Sequence, residues 1–563
     1  PVIVQNLADS GLLAGASEIQ HSYPHCWRCK KPVIFRATEQ WFLSVSRGSL
    51  RRDLLQTVGQ VRWLPEASKA RISNMLQSRP DWCISRQRVW GTPIPILYCR
   101  ACGRPLLEDA ALKRIEDKVA REGDAFWFHQ DPREFLPAEV KCACGGADFK
   151  KEMDILDVWV DSGASWLGVL KPSGHFPADL YMEGHDQHRG WFQASLVPSV
   201  CLEERAPYRA VFTHGFVMDD QGRAMHKSLG NVVSPQEITG RLGADVLRLW
   251  ITLSDYAADV RLSEKLLEGP VDTYRKIRNT LRFLLGNTSD FSPKDDTVAY
   301  DRMPELERYL LHRLYGLAQE TKKHYQDYRF RAAARAVADF CINDLSSFYL
   351  DARKDCLYTF PKDSEQRRAA QTVLWETLGA LLKLLAPILS FTAEEAWQTL
   401  RQEHGAVQAG PMQESIFLES FPECPGGWLQ EELASHWGEI LKIREKILQT
   451  LEDKRRCDLI GSSLEAKVTL TLGRPHAEIL DYHKKRPIDW PAITITSQFS
   501  LLEAGGAAEP AVEVAHAAGK KCARCWRWQE TVGSDPRHPE LCDRCLKAVD
   551  GLPDAGVRAG SQS

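Results

Sequence analysis

Residues Tyr181–Ser195 read YMEGHDQHRGWFQAS, a strand that runs through a polar turn into a helix. The apolar run ending in Glu183-Gly184 breaks at a glycine, and WFQAS opens a new apolar stretch of helical character. In an open parallel sheet, ligands sit at the carboxyl ends of the strands. Glu183 is therefore placed to meet an ammonium or a ribose hydroxyl. Asp186 can cap the following helix or meet the same ligand. His185 and His188 could hold a metal, but three-residue spacing at a helix start is more often polar surface.

Outward from this turn, residues 156–262 alternate β-like runs (LDVWV, ADLYMEG, AVFTHGFVM) with helical stretches. That alternation predicts βαβ units and a parallel sheet. Upstream, residues 1–92 mix a strand-like run (PVIFRATEQWFLSV) with a helix-like one (PEASKARISNMLQSR), and residues 93–155 look like an insertion with a charged helical centre. Residues 263–460 turn helical. Tyr274, Ile277, Leu281, Leu284 and Leu285 recur at threes and fours, one apolar helix face. Arg275, Lys276, Arg278 and Arg282 make another face basic, either plainly solvated or touching a phosphate backbone. Thr392 three residues before Glu395 predicts a capping box at a helix start. Beyond 460, AKVTLTL and PAITITS read as strands, LLEAGGAAEPAVEVAHAAG as a linker, and the Gly/Ala/Ser tail as disordered.

The 563 residues predict several domains by the usual allowance of about 150 residues each. A hydrophobic share of 44%, a charged share of 26% and a net charge of -3 exclude a basic nucleic-acid coat. Nucleic-acid contacts must then come from local patches. The most apolar run, LGALLKLLAPILSF, carries Lys383 and Pro387 and reads as a packed helix, not a membrane span. No signal peptide is recognisable, and a cytoplasmic setting without membrane contact is expected. The opening PVIVQNLADSG has no initiator Met, so part of a longer protein is expected.

Ten of the sixteen cysteines fall in close pairs. In a chain this large, such pairs favour metal over disulfides. Cys522, Cys525, Cys542 and Cys545 form C-x-x-C, sixteen residues, C-x-x-C, a specific signature for tetrahedral zinc. Around that knuckle lie Lys520, Lys521, Arg524, Arg527, Trp526 and Trp528. Two readings stand: a basic-aromatic surface for single-stranded nucleic acid, or tryptophans packing a small ribbon. Cys99, Cys102, Cys142 and Cys144 form a second set, whose thirty-nine-residue gap weakens the signal although both ends sit at glycine turns. It reads as a structural zinc clamp on the insertion. Cys26 and Cys29 form a lone half-site.

Residues 220–231, DQGRAMHKSLGN, place one lysine and one serine between Gly222 and Gly230. The composition suits an exposed turn or a loop closing over an anion; the Walker A spacing is absent.

YMEGHDQHRGWF, DWCISRQRVWGTPIP, DVWVDSG, THGFVMDDQGRAMHKSLGN, GADVLRLW and APILSFTAEEAW occur in one chain. Together they resemble the class I aminoacyl-tRNA synthetases of the Ile/Val/Leu/Met group, the isoleucyl type fitting best. The resemblance covers nearly all 563 residues, and the motifs are specific jointly, not singly. It implies a Rossmann-type α/β catalytic domain (here its second half), then an α-helical bundle that binds the anticodon, then a C-terminal zinc ribbon. The implied boundaries are 1–44 for the end of an editing insertion, 45–262 for the catalytic domain with 93–155 inserted, and 263–460 for the helical domain. There follow 461–518 for a small α+β region and linker, 519–549 for the zinc module and 550–563 for the tail.

By the same resemblance AMHKS aligns with the KMSKS loop. Lys227 then contacts ATP phosphates and acts in catalysis, with Ser228 assisting. Glu183 holds the aminoacyl-adenylate, with Gly184, Asp186 and Gln187 as its neighbours, and WCISRQ (82–87) lies at the rim. Trp191 either lines the side-chain pocket or packs in the core. The implied activity is ligation of isoleucine to its tRNA through an adenylate, with ATP and Mg2+ as substrate and two zinc ions as structural metals, in a monomer. Ala224 and His226 depart from the loop pattern; one cation is lost, and a weaker phosphate grip is expected. The H-x-G-H signature and the Thr-rich editing pocket do not occur in these residues, so a C-terminal portion, inactive alone, is expected. The alternatives are a noncatalytic tRNA-binding paralogue, or a valyl or leucyl enzyme.

Overall fold

The computed structural model describes residues 2–26, 29–137, 139–404, 412–504 and 509–550, without the side chains of Ser228 and His404. The expected tail, apart from Asp550, lies outside the described residues. Two compact units divide at 213/214.

In the first unit a three-stranded sheet runs in the order Arg62–Leu64, Tyr208–His214, Ala178–Gly184, with the first two strands parallel. The helices Leu50–Val58, Ala67–Gln77 and Trp191–Glu203 supply its apolar cover. Leu54, Ile72, Phe192, Leu196 and Val211 are fully buried in one cluster with Trp63 and Tyr208. Helix Trp191–Glu203 carries Pro198, which has no N–H to give the Ala194 carbonyl. Gly163, at the end of helix Val158–Gly163, lies against that same carbonyl, and a Cβ there would collide with it. Of the expected strand LDVWV only Leu156 is strand. Ile155–Leu156 is a strand, but Asp157 then caps a helix by accepting from Trp159 N at 3.3 Å. A side-chain oxygen that satisfies a first-turn N–H turns the chain helical despite its β-branched residues.

The insertion folds around its own core of Leu97, Phe126, Trp127 and Phe149, with a helix at Asp109–Glu122. Its strand Leu97–Cys99 sits between Pro105–Leu106 and Phe149–Lys151, antiparallel to both.

In the second unit the long helices Glu264–Thr288, Glu305–Gln326, Glu365–Leu385 and Glu431–Arg456 form a bundle. Phe330–Thr359 adds a continuous helical rod with a π-helical segment at Phe340–Tyr349. The predicted stripe faces inward: Ile277, Leu281 and Leu284 are buried, and Tyr274 and Leu285 pack beside them. The same core continues into a sheet of Gln498–Glu503, Ala466–Leu472 and Ala511–His516, the central strand parallel to the first and antiparallel to the last. Two expectations fail here. PAITITS is largely helix Trp490–Thr494, because Asp489 caps Ala492 N and Pro491 pre-sets the first turn. The linker-like stretch supplies the end of one edge strand, Gln498–Glu503, and all of the other, Ala511–His516, with 505–508 outside the described residues.

The capping box is also overturned. The helix Ser390–His404 has Thr392 inside it, and Asp245 accepts from Phe391 N (3.2 Å) and Thr392 N (2.7 Å). Glu395 is drawn instead to Arg278, at 2.7 and 3.1 Å. Lys276 pairs with Asp272 at 2.8 Å, so of the basic face only Arg275 and Arg282 have no ion pair among the described residues.

Candidate functional site

Glu183 is exposed at the carboxyl end of strand Ala178–Gly184, where its Oε1 accepts from Gly184 N at 2.9 Å. Gly184 is buried. Gln187, not Asp186, caps the following helix, its Oε1 accepting from Trp191 N at 3.0 Å. Asp186 accepts from Gln187 Nε2 at 2.9 Å and stays exposed. Gly190 makes room for this cap: a Cβ there would meet Gln187 Oε1 and the Trp159 ring. Trp191 stacks on Tyr181 at 4.1 Å between centroids and donates to Ser162 O at 3.0 Å. Both contacts fix the ring.

His188 corrects the polar-surface reading. It is fully buried, its Nδ1–H donating to His185 O at 2.9 Å, and its ring meets Phe192 edge-on. Its Nε2 has no partner among the described residues. Burial pushes its pKa below the ordinary imidazole value. Gln193 donates to His188 O at 2.5 Å and accepts from Arg79.

WCISRQ and DVWVDSG meet at Asp157. Asp157 is buried and accepts from Trp82 Nε1 at 3.2 Å and Arg86 Nη2 at 2.8 Å. A cavity of about 1130 Å³ opens beside it, lined by Arg86, Trp90, Asp157, Trp159 and Asp161. Burial raises the Asp161 carboxyl above its usual range. Glu183 does not line this cavity.

In the second unit the strand Val217–Met218 pairs parallel with Val260–Arg261 and leads into the lysine loop. Asp219 is buried at the loop's start. Lys227 begins a single 3-10 turn, Lys227–Leu229, closed by Gly230 at φ 65°, a left-handed angle that glycine adopts freely. Lys227 is exposed and has no ion pair among the described residues. His226 is exposed as well. The Ser228 side chain lies outside the described residues.

Both cysteine quartets converge, with ligand atoms within 4.8 Å of one another. In the insertion, Sγ–Sγ distances are 3.6 Å for Cys99–Cys144 and for Cys102–Cys142. In the terminal module Cys525–Cys542 is 3.8 Å. A zinc–sulfur bond of about 2.3 Å in a tetrahedron gives an edge of about 3.8 Å, so both sets fit a thiolate-bound zinc. Gly103 (φ 73°) and Gly145 (φ 84°) form the turns of the first set. Cys522, Cys525, Cys542 and Cys545 are all buried. Cys26 N donates to Lys31 O and Lys30 N to Cys26 O, both at 2.8 Å.

The basic-aromatic reading of the terminal module divides. Arg527 donates to Asp355 Oδ2 (3.0 Å) and Thr496 O (2.9 Å), Arg544 to both Asp355 oxygens (2.8 and 2.7 Å), and Arg524 to Thr359 O. These arginines hold the module on the helix Leu350–Thr359. Trp528 packs edge-on against His516 at 4.6 Å. Only Lys520, Lys521 and Trp526 remain exposed, with Lys521 over the Trp526 ring at 5.6 Å.

Residues 10–263 match the family of tRNA synthetases class I (I, L, M and V), residues 307–470 the anticodon-binding domain of tRNA ligase, and residues 519–548 the zinc finger found in FPG and IleRS. The chain is 44% identical to the isoleucine–tRNA ligase of Petrotoga mobilis over 97% of its own length and 59% of that protein's. It is 46% identical to that of Carboxydothermus hydrogenoformans, over 98% and 59% respectively. It thus spans about three fifths of the length of these curated relatives. No helix among the described residues is long and apolar enough to cross a membrane.

Proposed function

Because the chain belongs to the class I tRNA synthetases, the group for I, L, M and V, we propose that the whole protein joins isoleucine to its tRNA. The amino-acid carboxylate attacks the α-phosphate of Mg2+-bound ATP, forming an acyl–O–P bond and expelling pyrophosphate. A tRNA hydroxyl then takes the acyl group and releases AMP.

The observation that carries this reading is the order of three matched regions, class I, anticodon-binding and terminal zinc finger, in a chain 43–46% identical to isoleucine–tRNA ligases. In this reading the unpaired ammonium of Lys227 meets the phosphates and stabilises the charge that develops there. Ser228 assists. Glu183, exposed at its strand end, meets the ammonium or ribose of the adenylate, with Gly184, Asp186 and Gln187 shaping its surroundings. Residues 45–262 form the catalytic domain and 263–460 bind the anticodon. Each cysteine quartet holds one structural zinc.

Amino-acid-dependent ATP–pyrophosphate exchange by the whole protein tests the activity. Isoleucine should support exchange far better than valine or leucine. Lys227→Ala should reduce adenylate formation strongly and leave isoleucine binding nearly unchanged; equal losses in both would remove the assigned role.

A further inference from the structure

The lysine loop is held by a buried carboxylate through one amide side chain. Asp219 Oδ1 accepts from Gln221 N (3.1 Å) and Arg223 N (2.7 Å), and Oδ2 accepts from Arg223 Nε and Asn231 Nδ2, both at 2.9 Å. Asn231 in turn bridges the loop. Its Nδ2 also donates to Ala224 O at 3.1 Å, and its Oδ1 accepts from His226 N at 2.9 Å. The backbone on each side of Met225 is thereby tied to Asn231, and Met225 packs beside the apolar cluster of Ile238, Trp250, Leu262 and Leu267. The residue after His226 is Lys227.

Two details limit what else could do this. Met218 and Ala224 form a bridge, and Asp219 N donates to Arg223 O at 2.9 Å, so the chain folds back at once after the strand. Gly222, at φ 76°, makes that fold possible, with the Arg261 guanidinium 3.3 Å from where its Cβ would be. Arg223 cannot stand in for the cation missing at Ala224. Its guanidinium is paired with Asp219, Nη2 lying 2.9 Å from Oδ2. Among the described groups of the loop, Lys227 is the cation left unpaired.

We propose that Asp219 and Asn231 are positioning residues: they fix the backbone from Ala224 to His226 so that Lys227 is presented to the phosphates with its charge uncommitted. This rests on the phosphate role proposed for Lys227. Neither residue touches substrate in this reading. Asp219 sets the amide of Asn231, and Asn231 sets the segment before the lysine. Such a device matters because a displacement of about 1 Å at a positioned group can cost on the order of a hundredfold in rate.

The test is a double-mutant cycle in the whole protein, read by isoleucine-dependent ATP–pyrophosphate exchange. Asn231→Ala should lower kcat/KM for ATP by about tenfold to a hundredfold, with KM for isoleucine unchanged. Lys227→Ala combined with Asn231→Ala should be no worse than Lys227→Ala alone, since the clamp acts only through the lysine. Asp219→Asn, which keeps one acceptor, should fall between wild type and Asn231→Ala. Additive losses, or a normal Asn231→Ala enzyme beside an impaired Lys227→Ala one, would overturn the clamp and leave the role of Lys227 standing. A normal Lys227→Ala enzyme would overturn both. Amide hydrogen exchange at residues 221–231 separates the clamp from general unfolding: protection should fall there and not in the helical bundle.

Discussion

Replacing Asp355 by alanine should loosen the terminal zinc module from the helical bundle without emptying its metal site. Asp355 is the shared counter-ion of Arg527 and Arg544, with a side chain 20% exposed beside guanidiniums 11% and 34% exposed. Burial alone would raise its pKa, but the hydrogen bonds and charges of Arg544 and Arg527 outweigh that and hold the carboxyl below its usual range. Removing one partner of a fully buried ion pair costs roughly 3–5 kcal/mol, because the other charge is left in low dielectric. Arg544 is a third exposed, and Arg527 keeps Thr496 O, so about 2–4 kcal/mol is expected here. If that energy comes from docking, amide exchange over 519–548 should quicken by roughly thirty- to a thousandfold, at 1.4 kcal/mol per factor of ten. The four thiolates are untouched, so zinc content should stay the same. Exchange unchanged within about threefold would refute the argument that these arginines hold the module in place.

Metal analysis of the whole protein should find two zinc ions from these quartets, with Cys142→Ser and Cys542→Ser each removing one; loss of both in either variant would show the sites to be coupled. Gly163→Ala should lower stability by about 1–3 kcal/mol, since the methyl has to displace the Ala194 carbonyl; an unchanged denaturation midpoint would mean the helices can part freely. Asp219 is held at about 2, chiefly by the Asn231 amide, below the ordinary aspartate value of about 4. A carboxyl that is more acidic in the folded state contributes fully above about pH 4 and less as pH falls toward 2. Protection of the loop amides, corrected for intrinsic exchange, should therefore be flat near neutrality; a midpoint near pH 6 would point to another group.

The two cysteine quartets were legible because a knuckle is local: two thiolates two or three positions apart in a tight turn, and one ion to collect both pairs. The stripe of Ile277, Leu281 and Leu284 was legible for a similar reason, since helix period and burial demand the same spacing. The family motifs were legible as a series, each weak alone. Some misses had local signals too: Asp489 before Trp490-Pro491 is a cap followed by a first-turn proline, and Asp157 caps the helix that LDVWV disguised as strand.

Other features depended on partners far along the chain. Thr392 and Glu395 have the spacing of a capping box, yet Asp245 and Arg278, more than a hundred residues away, take their hydrogen bonds. Arg524 and Arg527 have the composition of a nucleic-acid surface, yet Asp355, Thr359 and Thr496 occupy them. The sequence alone therefore determined which residues could bind metal, form stripes or turn a strand into a helix, because those depend on neighbours a few positions apart. Which charges remain uncommitted, Lys227 among them, was decided only by tertiary structure, because a charge pairs with whatever the fold brings within about 3 Å of it.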